Sequence, residues 1–272
     1  MIADYHIHTV LCRHAEGEPR AYVDRACALG MVEMGFADHL PLLGDWRPSA
    51  DVPDDLAMRR DELDGYVALV QDLAREYRDD ARILLGIEAD YIAATLDETA
   101  AVLQEYPFEY VIGSVHTLGD GLVFDHSALR GRLRERGVDG VYVESYGLVA
   151  KAAATGLFTT IGHFDLAKKF GDRPRDGVAV AAAASAALRA VAAAGTALEL
   201  NTAGWRKPVA EAYPAPNLLA EAARLGIPLV FGSDAHAPGE VGQDFGRAAA
   251  VAREAGYAAL LQLSTGRRQE LV

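Results

Sequence analysis

Seven short, largely apolar runs recur along the chain, at residues 3–8, 32–37, 82–88, 110–115, 158–162, 196–201 and 227–232, and each predicts a buried strand. Between them the apolar positions fall at helical spacing, over 20–29, 54–77, 97–106, 140–154, 178–194, 217–225 and 246–263. Strict alternation of strand and helix predicts parallel strands joined by helical crossovers. No Ser/Gly/Pro-rich linker or shift in composition divides the chain, so residues 1–272 read as a single domain. The Pro-containing stretch 40–53 predicts a long surface loop, and the alanine-rich run 181–194 a closely packed helix.

Length and composition narrow the picture. With 272 residues, 51% of them apolar, the chain suits one α/β barrel, a fold that typically takes about 250 residues. A net charge of −13 argues against binding nucleic acid through phosphate neutralisation, which needs a surplus of lysine and arginine. Cys12 and Cys27 are too few for a disulfide framework and point to a reducing cytoplasm. The N-terminus lacks a leader pattern, and the uncharged run 177–188 is short of the roughly 20 residues that cross a bilayer, so no membrane partner is expected.

The histidines carry the chemistry. In such barrels the C-terminal strand ends converge on the reactive face. Six of the eight histidines fall there: His6 and His8 after the first predicted strand, His39 after the second, His116 after the fourth, His163 after the fifth and His236 after the seventh. Chance would place about one histidine in those windows. Neutral imidazole and carboxylate suit zinc, iron or manganese, and so large a set points to more than one ion. His6-x-His8 and Asp234-x-His236 share a spacing that puts alternate residues on one face of a strand. Glu88 ends the apolar run Ile83-Leu84-Leu85-Gly86-Ile87, where a buried charge needs a partner. Cys12 reads as a packed thiol, and His126, away from any strand end, is as well explained by a surface loop as by a substrate contact.

Several motifs together carry a resemblance: Asp4-Tyr5-His6-Ile7-His8-Thr9, Cys12-Arg13-His14-Ala15, Ala37-Asp38-His39, Gly86-Ile87-Glu88-Ala89-Asp90, Gly113-Ser114-Val115-His116, Gly162-His163-Phe164-Asp165-Leu166 and Gly232-Ser233-Asp234-Ala235-His236. On these the chain resembles the PHP-superfamily phosphoesterases. With Asn201-Thr202-Ala203-Gly204-Trp205-Arg206-Lys207-Pro208 added, it most resembles the monofunctional histidinol-phosphate phosphatases. The resemblance implies a distorted (βα)7 barrel with two to three divalent ions at the C-terminal face of its strands. It implies one ion on His6, His8, Glu88 and Asp234, a second on Glu88, His116 and His163, and a third on His14, His39 and His236.

The expected reaction is hydrolysis of L-histidinol phosphate by a metal-activated hydroxide, with Glu88, Asp234 and His236 in catalytic roles. For the substrate, Arg206, Lys207 and Lys169 are the candidate phosphate contacts, with Arg206 favoured for its bidentate geometry. Asn201, His126, Asp125 and Glu16 are candidates for the imidazole and ammonium. The alternatives are a related phosphatase acting on nucleotides, sugar phosphates or protein phosphotyrosine, an amidohydrolase-like enzyme, and a non-enzymatic binding module. A homo-oligomer is compatible with the sequence.

Overall fold

The structure, a computed structural model, describes residues 3–49 and 56–271. Six parallel strands lie side by side in chain order: β1 (Glu33–Phe36), β2 (Arg82–Asp90), β3 (Tyr110–Ser114), β4 (Thr160–Ile161), β5 (Ala197–Asn201) and β6 (Leu229–Gly232). The predicted first strand appears as an extended segment between the two edges of this sheet. On one side, Gly35 and Ala37 donate backbone N–H groups to the carbonyls of Asp4 and Ile7, both at 2.9 Å. On the other, Tyr5 donates to the Phe231 carbonyl at 3.2 Å and Ala235 to that of His6 at 3.1 Å. Single bridges, Asp4 to Met34 and Ile7 to Ala235, replace a continuous ladder. The segment takes the seventh position and joins β6 back to β1, as a seven-fold barrel requires.

The connecting helices are α1 (Pro19–Ala28), α2 (Leu63–Glu76), α3 (Leu96–Glu105), α4 (Arg130–Arg136), α5 (Val138–Ala154), α6 (Gly177–Ala194), α7 (Pro216–Arg224) and α8 (Phe245–Glu254). Two differ from the sequence reading. The expected helix over 54–77 begins with a 3-10 turn at Arg60–Glu62, and its first two residues lie outside the described ones. The expected helix over 246–263 stops at Glu254, because Gly256 turns the chain at φ 105°, a conformation that closes helices and suits glycine. The residues beyond pair instead as an antiparallel ribbon, β7 (Ala259–Leu261) with β8 (Arg268–Glu270). The short α4 forms where the sequence reading expects no helix. The expected loop 40–53 has neither helix nor sheet strand over 40–49, and 50–53 lie outside the described residues.

Alternation within the strands builds the interior. Tyr5, Leu84, Tyr110, Ile112, Ala197 and Val230 form a buried apolar layer inside the barrel. Continuing along the same faces by twos leads from Leu84 to Glu88, from Ile112 to Ser114, from Ala197 to Glu199 and Asn201, and from Val230 to Gly232. One end of the interior is therefore apolar and the other polar. At the apolar end, Leu263 donates its N–H to the Tyr5 hydroxyl at 3.1 Å, and Gln262 Nε2 donates to Glu33 at 3.1 Å, so the C-terminal segment closes the floor. Among the described residues, α6 is the one helix apolar and long enough to cross a membrane by composition. Here Val180, Ala184, Ala187, Leu188 and Val191 are buried, and the helix packs against α5 and α7.

Candidate metal centre

Glu88 stands at the centre of the polar end. It is 1% exposed, on the inner face of β2 between Leu84 and Asp90, and its two oxygens face two groups of imidazoles. Oε2 lies 3.0 Å from His39 Nδ1, 3.2 Å from His6 Nε2 and 3.6 Å from His8 Nε2. Oε1 lies 3.0 Å from His163 Nε2 and 3.6 Å from His116 Nε2, and it accepts the Ser114 hydroxyl at 2.6 Å. Asp234 Oδ1 is 3.2 Å from His8 Nε2 and 3.9 Å from His6 Nε2. The rings of His116 and His163 meet through Nε2 at 3.1 Å. His236 stacks on His8 and on His14, at centroid distances of 4.2 and 4.8 Å, and His14 lies 5.5 Å from His39.

The other nitrogen of several rings is held from behind. His6 Nδ1 lies 2.6 Å from Glu199 Oε1, His116 Nδ1 2.7 Å from Asp90 Oδ1, and His236 Nδ1 3.0 Å from the Asp234 carbonyl. His8 Nδ1 faces Asp38 Oδ1 at 3.5 Å. These oxygens only accept, so each Nδ1 carries a proton and Nε2 is left as the nitrogen that can bind a metal ion. Among the described residues, His6 Nε2, His8 Nε2, Glu88 Oε2 and His236 Nε2 are buried without a hydrogen-bond partner. Buried imidazole nitrogens and a carboxylate oxygen gathered this closely without hydrogen-bond geometry are costly on their own and are satisfied by a cation. Ligand-type atoms from His6, His8 and Asp234, from His6, Glu88 and His163, from His8, His39 and His236, and from Cys12, His14 and His236 fall into compact sets, each within 4.8 Å. The donor set therefore fits divalent metal ions.

The electrostatics agree with that fit. Burial works against an ionised Glu88, yet the imidazoles of His39, His6 and His163 hold its carboxyl well below the usual range. Burial likewise opposes a charged His6, and the carboxylates of Glu199, Glu88 and Asp234 overcome it and raise its pKa well above the ordinary value. His236 goes the other way, lowered by burial and by the neighbouring His8. The cluster thus holds positive charge in a buried place, whether protons or cations supply it.

A cavity of about 400 Å³ opens over the cluster. His14, His39, Glu88, His116, His163, Asp234 and His236 line its base. Lys169, Lys207, Asp125 and His126 stand on its walls with Leu42, Trp46, Leu56 and Phe170, so the loop after β1 contributes an apolar rim. Arg206 and Asn201 take other places. Arg206 Nη2 donates to the Ser233 carbonyl at 2.8 Å, and its Nε lies 3.3 Å from Glu240 Oε1, so it braces the loop that carries Asp234 and His236. Asn201 is buried, donating to Glu199 Oε2 at 3.1 Å and to Asp234 Oδ2 at 3.2 Å. Lys168 is buried against Asp165 and Glu211, both at 2.8 Å. Sequence reasoning passed over Glu199, Asp38 and Asp90. The signal for Glu199 was present: it is a carboxylate inside the apolar run Leu198-Glu199-Leu200, the pattern that singles out Glu88.

A parallel barrel with a buried His/Asp/Glu cluster at one end of its strands defines a metal-centre hydrolase scaffold. The PHP domain family model matches residues 4–203 and a PHP-associated model matches 217–245, and the chain belongs to the PHP domain family. It is 44% identical over 259 residues to a protein named probable histidinol-phosphatase from Deinococcus radiodurans, covering 94% of each chain. It is 32% identical to the histidinol-phosphatase of Bacillus subtilis, over 88% of this chain and 95% of that one. Its fold is similar to that of a histidinol phosphate phosphatase from Lactococcus lactis solved with zinc, L-histidinol and phosphate, at 23% identity and a TM-score of 0.78 over 99% of both chains.

Proposed function

We propose that this chain is a metal-dependent phosphomonoesterase that converts L-histidinol phosphate to L-histidinol and phosphate. The observation that carries the reading is Glu88, a buried carboxylate between two sets of imidazoles, with the Nε2 atoms of His6 and His8 beside it left without hydrogen-bond partners among the described residues. Relatives that bear the histidinol-phosphatase name along nearly their whole length support it.

In this reading two to three divalent ions, zinc, iron or manganese, are held by His6, His8, Glu88 and Asp234, by Glu88, His116 and His163, and by His14, His39 and His236. Divalent cations here supply charge neutralisation for a phosphate dianion and make water a better nucleophile near neutral pH. The chain's own residues do the rest. Glu199, Asp38 and Asp90 fix the ring tautomers, so the ligand geometry is set before substrate arrives. Lys169 and Lys207 place positive charge on the walls, where the phosphate oxygens enter. Asp234 and His236, both at the cavity base, stand beside the place of the reacting atoms and take catalytic roles in this reading. Leu42, Trp46, Leu56 and Phe170 keep bulk water from the reacting atoms.

The test is to strip the protein with a chelator, restore zinc, manganese or iron separately, and follow phosphate release from L-histidinol phosphate. Activity lost on stripping and restored by at least one ion is expected. Full turnover by stripped protein would overturn the metal-dependent reading.

A further inference from the structure

Asp125 and Lys169 form an ion pair on the cavity wall rather than on the outer surface. Their charged atoms are 3.0 Å apart, and each side chain is about one-fifth exposed, toward the cavity that both line. Burial works against the Asp125 carboxylate, but Lys169 and then His116 hold it ionised. Next to them, His126 also lines the cavity and buries an Nδ1 that has no hydrogen-bond partner among the described residues. A cluster that takes anionic oxygens, as the proposed function has it, gives no reason for a carboxylate on the same wall. An acidic group there repels a phosphate ester unless the ligand brings a cation of its own.

Resting on the histidinol-phosphate reading, we propose that Asp125 is a specificity-determining residue that binds the primary ammonium of the substrate, while Lys169 turns from Asp125 to the phosphate. The two wall charges are neutral against each other in the empty cavity. A ligand carrying both a phosphate and an ammonium replaces that pair with two intermolecular pairs, and neither wall charge is left unpaired. A phosphate ester without an amine draws Lys169 away and strands a part-buried carboxylate, an uncompensated charge that binding must overcome. The pair thus selects for zwitterionic substrates by penalising simple phosphate esters, which is discrimination by repulsion as much as by attraction.

The experiment compares kcat/KM for L-histidinol phosphate with that for its deaminated analogue, imidazolylpropyl phosphate, in the metal-loaded wild type, in Asp125→Asn and in Asp125→Glu. The wild type is expected to prefer the amine-bearing ester by about 100-fold, the order expected for leaving one partner of a buried charge pair unmatched. In Asp125→Asn the ratio is expected to fall below about 5, and Asp125→Glu should recover part of it. A ratio that stays at its wild-type value in Asp125→Asn, including through equal loss on both esters, overturns the assignment and leaves the histidinol-phosphate reading standing. A wild type that cleaves neither ester but does cleave an aryl phosphate overturns that reading itself, and the Asp125 role with it.

Discussion

Glu199 Oε1 lies 2.6 Å from His6 Nδ1, while the other oxygen of the same carboxylate accepts the backbone N–H of His163 at 2.8 Å. One buried side chain on β5 therefore orients groups from the N-terminal segment and from the exit of β4, and it is not among the residues that line the cavity. Glu199→Gln keeps the shape but lets the amide nitrogen face His6 and removes the charge that fixes its tautomer. The expected result is a loss of metal affinity of about 10- to 100-fold, read by competition with a chromogenic chelator. Unchanged affinity would remove Glu199 from the centre.

The space beside that carboxylate is filled to contact. A Cβ built on Gly232 falls 1.9 Å from Glu199 Oε1 and 2.7 Å from His6 Cβ. Glu199 cannot swing aside without giving up His6, His163 and Asn201. Gly232→Ala should therefore destabilise the fold by about 1–3 kcal/mol and lower metal content together. Thermal unfolding and elemental analysis of the purified variant check both.

The legible part of this molecule was what alternation and spacing encode. The barrel class, six of its strands and the gathering of His6, His8, His39, His116, His163 and His236 at one end follow from apolar runs that close on polar residues. Two things were not legible. The helix over 246–263 was too long, since its apolar spacing continues past Gly256 and only the positive φ ends it. Arg206 reads as a phosphate contact because it is an arginine after a strand; its Nη2 donates to the Ser233 carbonyl while its Nη1 is buried without a hydrogen-bond partner among the described residues, a division that only coordinates show.

Glu88→Ala removes the carboxylate that, among the described residues, faces both imidazole sets. Turnover should fall by about 1000-fold or more, with loss of bound metal. Full activity in this variant would exclude a shared ligand at position 88.

The metal-free and metal-loaded proteins should respond oppositely to pH. Burial alone would lower His8 and His116, yet Asp234 and Asp38 push the first up to about 9, and Asp90 the second up to about 10. Both folded values lie above the ordinary value of 6.5. Their protonated pairs therefore stabilise the metal-free fold fully below that value, and the contribution is lost as pH rises through 9 to 10. Divalent ions need the same nitrogens deprotonated, so the gain in Tm on loading should be larger at about pH 9 than at about pH 6. A gain that shrinks with pH would contradict the ligand assignment of His8 and His116.

The most direct test of the account is kcat/KM of the metal-loaded protein for L-histidinol phosphate beside phosphotyrosine, a nucleoside monophosphate and a generic aryl phosphate. The account predicts that histidinol phosphate leads each of the others by about 100-fold or more, the discrimination a site with paired polar contacts achieves. Equal rates across the panel, or a lead for another ester, would contradict it.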